Sequence, residues 1–155
     1  MKTKDLTLTA LLAVLLAIFG TFKIPGIVPG TEFQLSAPFA VCIAALFGFR
    51  RYLLIGVLAS MINLLLGTHT ILNVLIAMVF RLVAGGIITI GGVKPLILAI
   101  SGPVGTACGR IVLAAVLHTS VGVLLVGAVP GMIFTAVASL VMYPILKRGL
   151  KYAAV

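Results

Sequence analysis

Six long apolar runs, separated only by short breaks of glycine, proline or basic residues, divide the chain almost from end to end. They are Leu6–Phe22, Leu35–Phe49, Leu53–Gly67, Ile71–Ile90, Leu96–His118 and Ser120–Leu146. A soluble domain carries about 25% charged residues to cover its surface. Here the share is 8%, so the runs have no polar coat and their solvent is the lipid bilayer. Crossing the hydrocarbon takes about 20 residues of helix, and a helix satisfies its own backbone hydrogen bonds there. The pattern predicts an all-α integral membrane protein, with residues 1–155 forming a single domain of six transmembrane helices. The second and third runs are short for a bilayer and point to misplaced ends or local thinning. Ser101-Gly102-Pro103 and Pro130-Gly131 predict kinks or unwound stretches in the fifth and sixth spans.

Basic residues set the orientation. With the N-terminus in the cytoplasm, Lys2, Lys4, Arg50, Arg51, Lys94, Lys147, Arg148 and Lys151 all fall on that side and Lys23 falls outside. This asymmetry predicts cytoplasmic N- and C-termini. The opening Lys2 and Lys4 followed by Leu6–Phe22 resembles a signal peptide, but no small-residue cleavage site precedes Lys23, so a retained first span is expected. The formal charge of +9 is scattered over span ends and not clustered with aromatics, which argues against a nucleic-acid partner. Cys42 and Cys108 lie in apolar runs without metal-ligand spacing and read as packing residues; no metal site is expected.

Two cations break the apolar pattern. Arg81 falls about 15 Å below the outer end of the fourth span and Arg110 about 12 Å below that of the fifth. A guanidinium does not lose its proton, and placing one at mid-bilayer costs roughly 2.5–3.5 kcal/mol or more. The only acidic side chains are Asp5, at the N-terminus, and Glu32. Two cations ~7 Å apart at an effective dielectric of ~20 would repel by roughly 2.4 kcal/mol; a bound carboxylate or phosphate would relieve this and gain charge-assisted hydrogen bonds. Glu32 and Gln34 in the first external loop, Asn63, His69, Asn73 and His118 crowd the same outer half. Together they predict an outward-facing site for an anionic small molecule. Plainer roles stand beside this one: the asparagines could bond helices together, and the histidines could sit at the interface.

Enzyme chemistry finds no footing. No carboxylate pair, acidic Mg²⁺ cluster or HExxH motif is present. Gly86 to Gly91 has phosphate-loop spacing but lacks the Lys-Ser/Thr that must follow, and Ser101, Cys108 and His118 share a span with nothing to orient the histidine. No catalytic residues and no cofactor bound by this chain are expected. Intramembrane carboxylates for ion coupling are also missing, so active transport would need an energised partner; a solitary facilitator or channel is the alternative. Ala10, Ala13, Ala17 and Gly20 fall on one face of the first span, within about 80°. Such a stripe serves either packing inside the bundle or docking of another membrane subunit.

The chain resembles the substrate-binding S components of energy-coupling factor transporters along essentially its whole length. The resemblance rests on Lys2-Thr3-Lys4, the Ala-rich first helix with Ala13-x-x-x-Ala17, the long first external loop, Asn73 opening span four, and Tyr143-Pro144-Ile145 followed by Lys147-Arg148. It implies a multi-pass protein of the bacterial plasma membrane that captures a vitamin or related micronutrient from outside. It also implies partners: a transmembrane coupling subunit, contacted through Ala13 and Ala17, and two ATPase subunits that use ATP. Delivery would then proceed by toppling of the whole chain in the membrane.

Overall fold

The computed structural model describes residues 3–25 and 32–153; side chains within 23–25, 32–33 and 150–153 lie outside the description. The elements in order are α1 (Thr3–Thr21), β1 (Lys23–Pro25), β2 (Glu32–Gln34), α2 (Ser36–Phe47), α3 (Phe49–Leu65), α4 (Ile71–Gly91), α5 (Pro95–Leu117) and α6 (Val121–Ala153). Helices α1, α4, α5 and α6 are long and apolar enough to cross a membrane. The chain is a multi-pass helical membrane protein. One departure from the all-α expectation lies between α1 and α2, where β1 and β2 pair antiparallel, Lys23 with Gln34 and Pro25 with Glu32.

Helix α2 organises the bundle. It has 12 residues, and seven consecutive ones, Pro38 to Ala44, are buried. A helix apolar on every face belongs in an interior, and α2 touches each of the other five helices. Around it, α1, α3, α4, α5 and α6 follow one another as packed neighbours. The shortness noted in the sequence therefore reflects a helix shielded from lipid by its neighbours, which has no hydrocarbon thickness to match. Gly48, at φ 78°, makes the abrupt joint to α3.

Neighbouring helices approach through glycine notches. A Cβ on Gly85 of α4 would lie 3.0 Å from the Tyr52 ring of α3, and Gly56 of α3 receives the Arg81 side chain of α4. Each helix thus supplies one large side chain and one gap. Gly105 and Gly109 of α5 lie against Phe80 and Ile76 of α4, and Gly102 lies against Thr135 of α6. Small residues at such crossings let backbones come close where no hydrophobic drive separates helix from lipid.

No unwound stretch interrupts the fifth or sixth span. Helix α5 runs unbroken through Pro103 and α6 through Pro130 and Pro144. The Ser101 and Ser139 hydroxyls both donate to the Leu98 carbonyl, at 3.1 and 3.4 Å. Pro103 leaves the neighbouring Ala99 carbonyl without its helical donor, and the Ser139 bond ties α6 to α5 at this level.

The start of α1 is tied to the start of α3. Arg51 Nη2 donates to the Asp5 carbonyl at 2.8 Å and lies 3.2 Å from its carboxylate. Its Nε donates to Thr9 Oγ1 at 3.1 Å, and its guanidinium covers the Phe47 ring. At the other end, His69 reaches Gly20, so α1 and α3 run side by side in the same direction.

Candidate functional site

A cavity of about 310 Å³ opens where α1 and α3 finish and α2 and α4 begin. Six of the eight predicted site residues are present in its wall or strand: Gln34, Asn63, His69, Asn73, Arg81 and Arg110 all line it. Glu32 pairs through its backbone in β2, and its side chain lies outside the described residues. His118 lies apart from the two cavities described here. It is exposed and adopts a left-handed conformation at φ 52° as the C-cap of α5.

Arg81 is held deep. It is 7% exposed, and its Nη1 donates to Ser60 Oγ at 2.7 Å and lies 3.5 Å from Met78 Sδ. Its stem fills the notch at Gly56, and the Tyr52 hydroxyl nearby is buried without a hydrogen-bond partner among the described residues. Sequence reasoning missed Gly56 and Ser60, the supports of Arg81, and the buried Tyr52. Their spacing, with Asn63, puts them on one stripe of α3, so a helical pattern carried the signal. Ser36, Ala37, Phe80 and Thr106 are lining residues it also missed.

Asn63 is buried, and the end of α3 explains how its amide is aimed. Its carbonyl accepts from the Thr68 and His69 backbone N–H groups at 3.0 and 3.2 Å. Its Oδ1 lies 3.3 Å from the Thr68 hydroxyl, which leaves Nδ2 facing Gly20 and the cavity. His69 donates from Nε2 to the Gly20 carbonyl at 3.2 Å, so this imidazole latches the α3–α4 turn to the end of α1.

The small-residue stripe of α1 packs internally. Ala13, Ala17 and Gly20 are buried, Ala13 with 1% of its surface exposed, and α1 packs chiefly on α3. The docking face expected on them is therefore occupied by the chain's own helix; of the four residues only Ala10 is exposed.

Arg110 has no hydrogen bond or ion pair among the described residues and lines a second cavity, about 330 Å³, beside the first. Gln34, Ala37, Thr106 and Arg110 belong to both walls. The expectation of similar depth is refined by the α4–α5 crossing. Gly109 lies against Ile76, so Arg110 sits near that level and Arg81 lies about 8 Å deeper along α4.

The electrostatics favour anions. Asp5, the one acid whose side chain is described, is bound to Arg51 at the far end. Helix α2 begins at the cavity with no side-chain cap, and Ser36 and Ala37 line the wall. Pro38 has no N–H, so the Ser36 and Ala37 N–H groups, without a partner among the described residues, and the positive end of the helix dipole add to the two guanidinium groups. No group of His, Cys, Asp or Glu able to hold a metal ion occurs among the described residues.

Comparison with known proteins adds one informative relative. The chain is 52% identical over 146 residues to Protein BioX of Lysinibacillus sphaericus, an alignment covering 94% of this chain and 86% of that protein. No protein-family profile matches the chain. No solved structure matches it either.

Proposed function

The chain belongs to the family of Protein BioX, and on that premise we propose that it is the substrate-binding subunit of an energised importer for a small, carboxylate-bearing, vitamin-like molecule. One observation carries the reading: Arg81 and Arg110 line a single cavity whose described walls contain no acid. The arrangement offers donors almost throughout, from both guanidinium groups, the Asn63 amide and the start of α2. A carboxylate supplies the acceptors and the compensating charge. Its volume falls at the lower end of ordinary small-molecule sites.

In this reading the six helices all belong to the membrane-embedded body, with both termini in the cytoplasm as the basic residues imply. The cavity then faces outward under the β1–β2 ribbon. A membrane coupling subunit and two ATPases of the energy-coupling factor type would supply the work. With Ala13, Ala17 and Gly20 buried, such a partner would meet the exposed side of α1 around Ala10 and Val14.

Titration calorimetry on the purified chain tests the proposal, with biotin and other vitamin carboxylates as first probes and mass spectrometry of co-purifying small molecules beside it. Saturable binding that Arg81→Ala and Arg110→Ala each weaken by about tenfold or more is expected, since each removes a charge-assisted bond. Ion conductance through the isolated chain, without saturable binding, would instead establish a channel.

A further inference from the structure

We infer that the ligand is bolaform, with a hydrogen-bond-accepting group at each end and an apolar stretch between, one end held at Arg81 and the other at Arg110. This rests on the carboxylate reading above and sharpens it. The two cations are placed by different helices. Arg81 is drawn toward α3 by its 2.7 Å bond to Ser60 and by the Gly56 notch. Arg110 arises from α5, and its second cavity is walled by α6 through Ala128, Gly131 and Thr135. Helix α4 stands between α3 and α5 in the packing order, and the two arginines differ in level by about 8 Å. Between them the wall is apolar, made by Ile76, Ala77 and Phe80.

A monofunctional ligand seated at Arg81 leaves Arg110, about 8 Å away in level, unmatched. A guanidinium only donates, so both ends of the ligand must accept. At the Arg110 end, Gln34, Thr106 and the first turn of α2 are shared by both cavities. The second cavity leaves room beyond them, so this terminus can be bulkier than a carboxylate. The Arg81 end is confined by buried Asn63 and Ser60 and suits a carboxylate.

The test uses the full chain in detergent and calorimetry with straight-chain monocarboxylates, ω-hydroxy acids and α,ω-dicarboxylates of equal carbon number. The difunctional acids should bind roughly tenfold tighter or better, the lower range for leaving a buried polar group unmatched. Their affinity should pass through an optimum with chain length, because both ends are fixed. In Arg110→Gln that preference should vanish while monocarboxylates still bind; in the double variant with Arg81→Gln all binding should disappear. Equal affinity of mono- and difunctional acids, or affinity rising steadily with length, overturns the inference and needs no variant. So does loss of both ligand classes alike in Arg110→Gln, which would mean that the arginines grip a single carboxylate. If the native chain binds no carboxylate of any kind, the parent reading fails and this one with it.

Discussion

Arg81 depends on neighbours that carry no charge. Gly56 makes room for its stem and Ser60 accepts from its Nη1. Gly56→Ala should therefore cost about 1–3 kcal/mol of stability by overpacking. It should also weaken ligand binding, because the guanidinium must leave the notch; thermal unfolding in detergent and calorimetry read the two effects separately. Tyr52 presents the opposite case. Its hydroxyl is buried without a partner among the described residues, and such a group costs roughly 1–3 kcal/mol. Tyr52→Phe should leave the melting temperature unchanged or raise it while preserving ligand binding. The arginines were legible in the sequence because a charge in an apolar run has no cheap explanation. Their supports were not, since glycine and serine in a membrane helix are ordinary, and only the facing helix gives Tyr52, Gly56 and Ser60 their meaning.

At the scale of elements, apolar runs located all six helices to within a few residues, apart from the longer tail of α6. They did not disclose rank. Hydropathy treats α2 and α3 as two short spans, whereas packing makes α2 an interior helix touching all the others. Proline and glycine also suggested unwound stretches that do not form, because Pro103 and Pro130 sit in continuous helices. The stripe on α1 was legible as a close-approach face, but a stripe does not name its partner, and that partner is α3. Substitutions separate the two faces of α1. Ala17→Leu should destabilise the isolated chain by about 1–3 kcal/mol. Ala10→Leu, on the exposed side, should leave its melting unchanged; co-purification with a coupling subunit then reports whether this side docks one. Where α1 meets α3, Asp5→Asn should cost less than about 1 kcal/mol, as expected for a partly exposed ion pair. Arg51 keeps its bonds to the Asp5 carbonyl and Thr9.

For the whole molecule, the helices alternate in direction and the cavity lies at one end, opposite Arg50, Arg51, Lys94 and Lys147. Single cysteines placed at Lys4 and Ser120, in a Cys42→Ala, Cys108→Ala background, should react with a membrane-impermeant maleimide from opposite sides of intact cells, Ser120→Cys from outside. Labelling of both from one side would overturn the six-span orientation. The sequence disclosed which residues gather at that end, but not the space they enclose. That space has a simple origin. Twelve residues of α2 reach about 18 Å, against a hydrocarbon core of ~30 Å. The chamber is the column of helix that α2 does not build, with Gln34 in its wall. Its depth is therefore encoded in chain length between Gln34 and Gly48, and an extra helical turn inserted before Ser36 would plug the chamber from below.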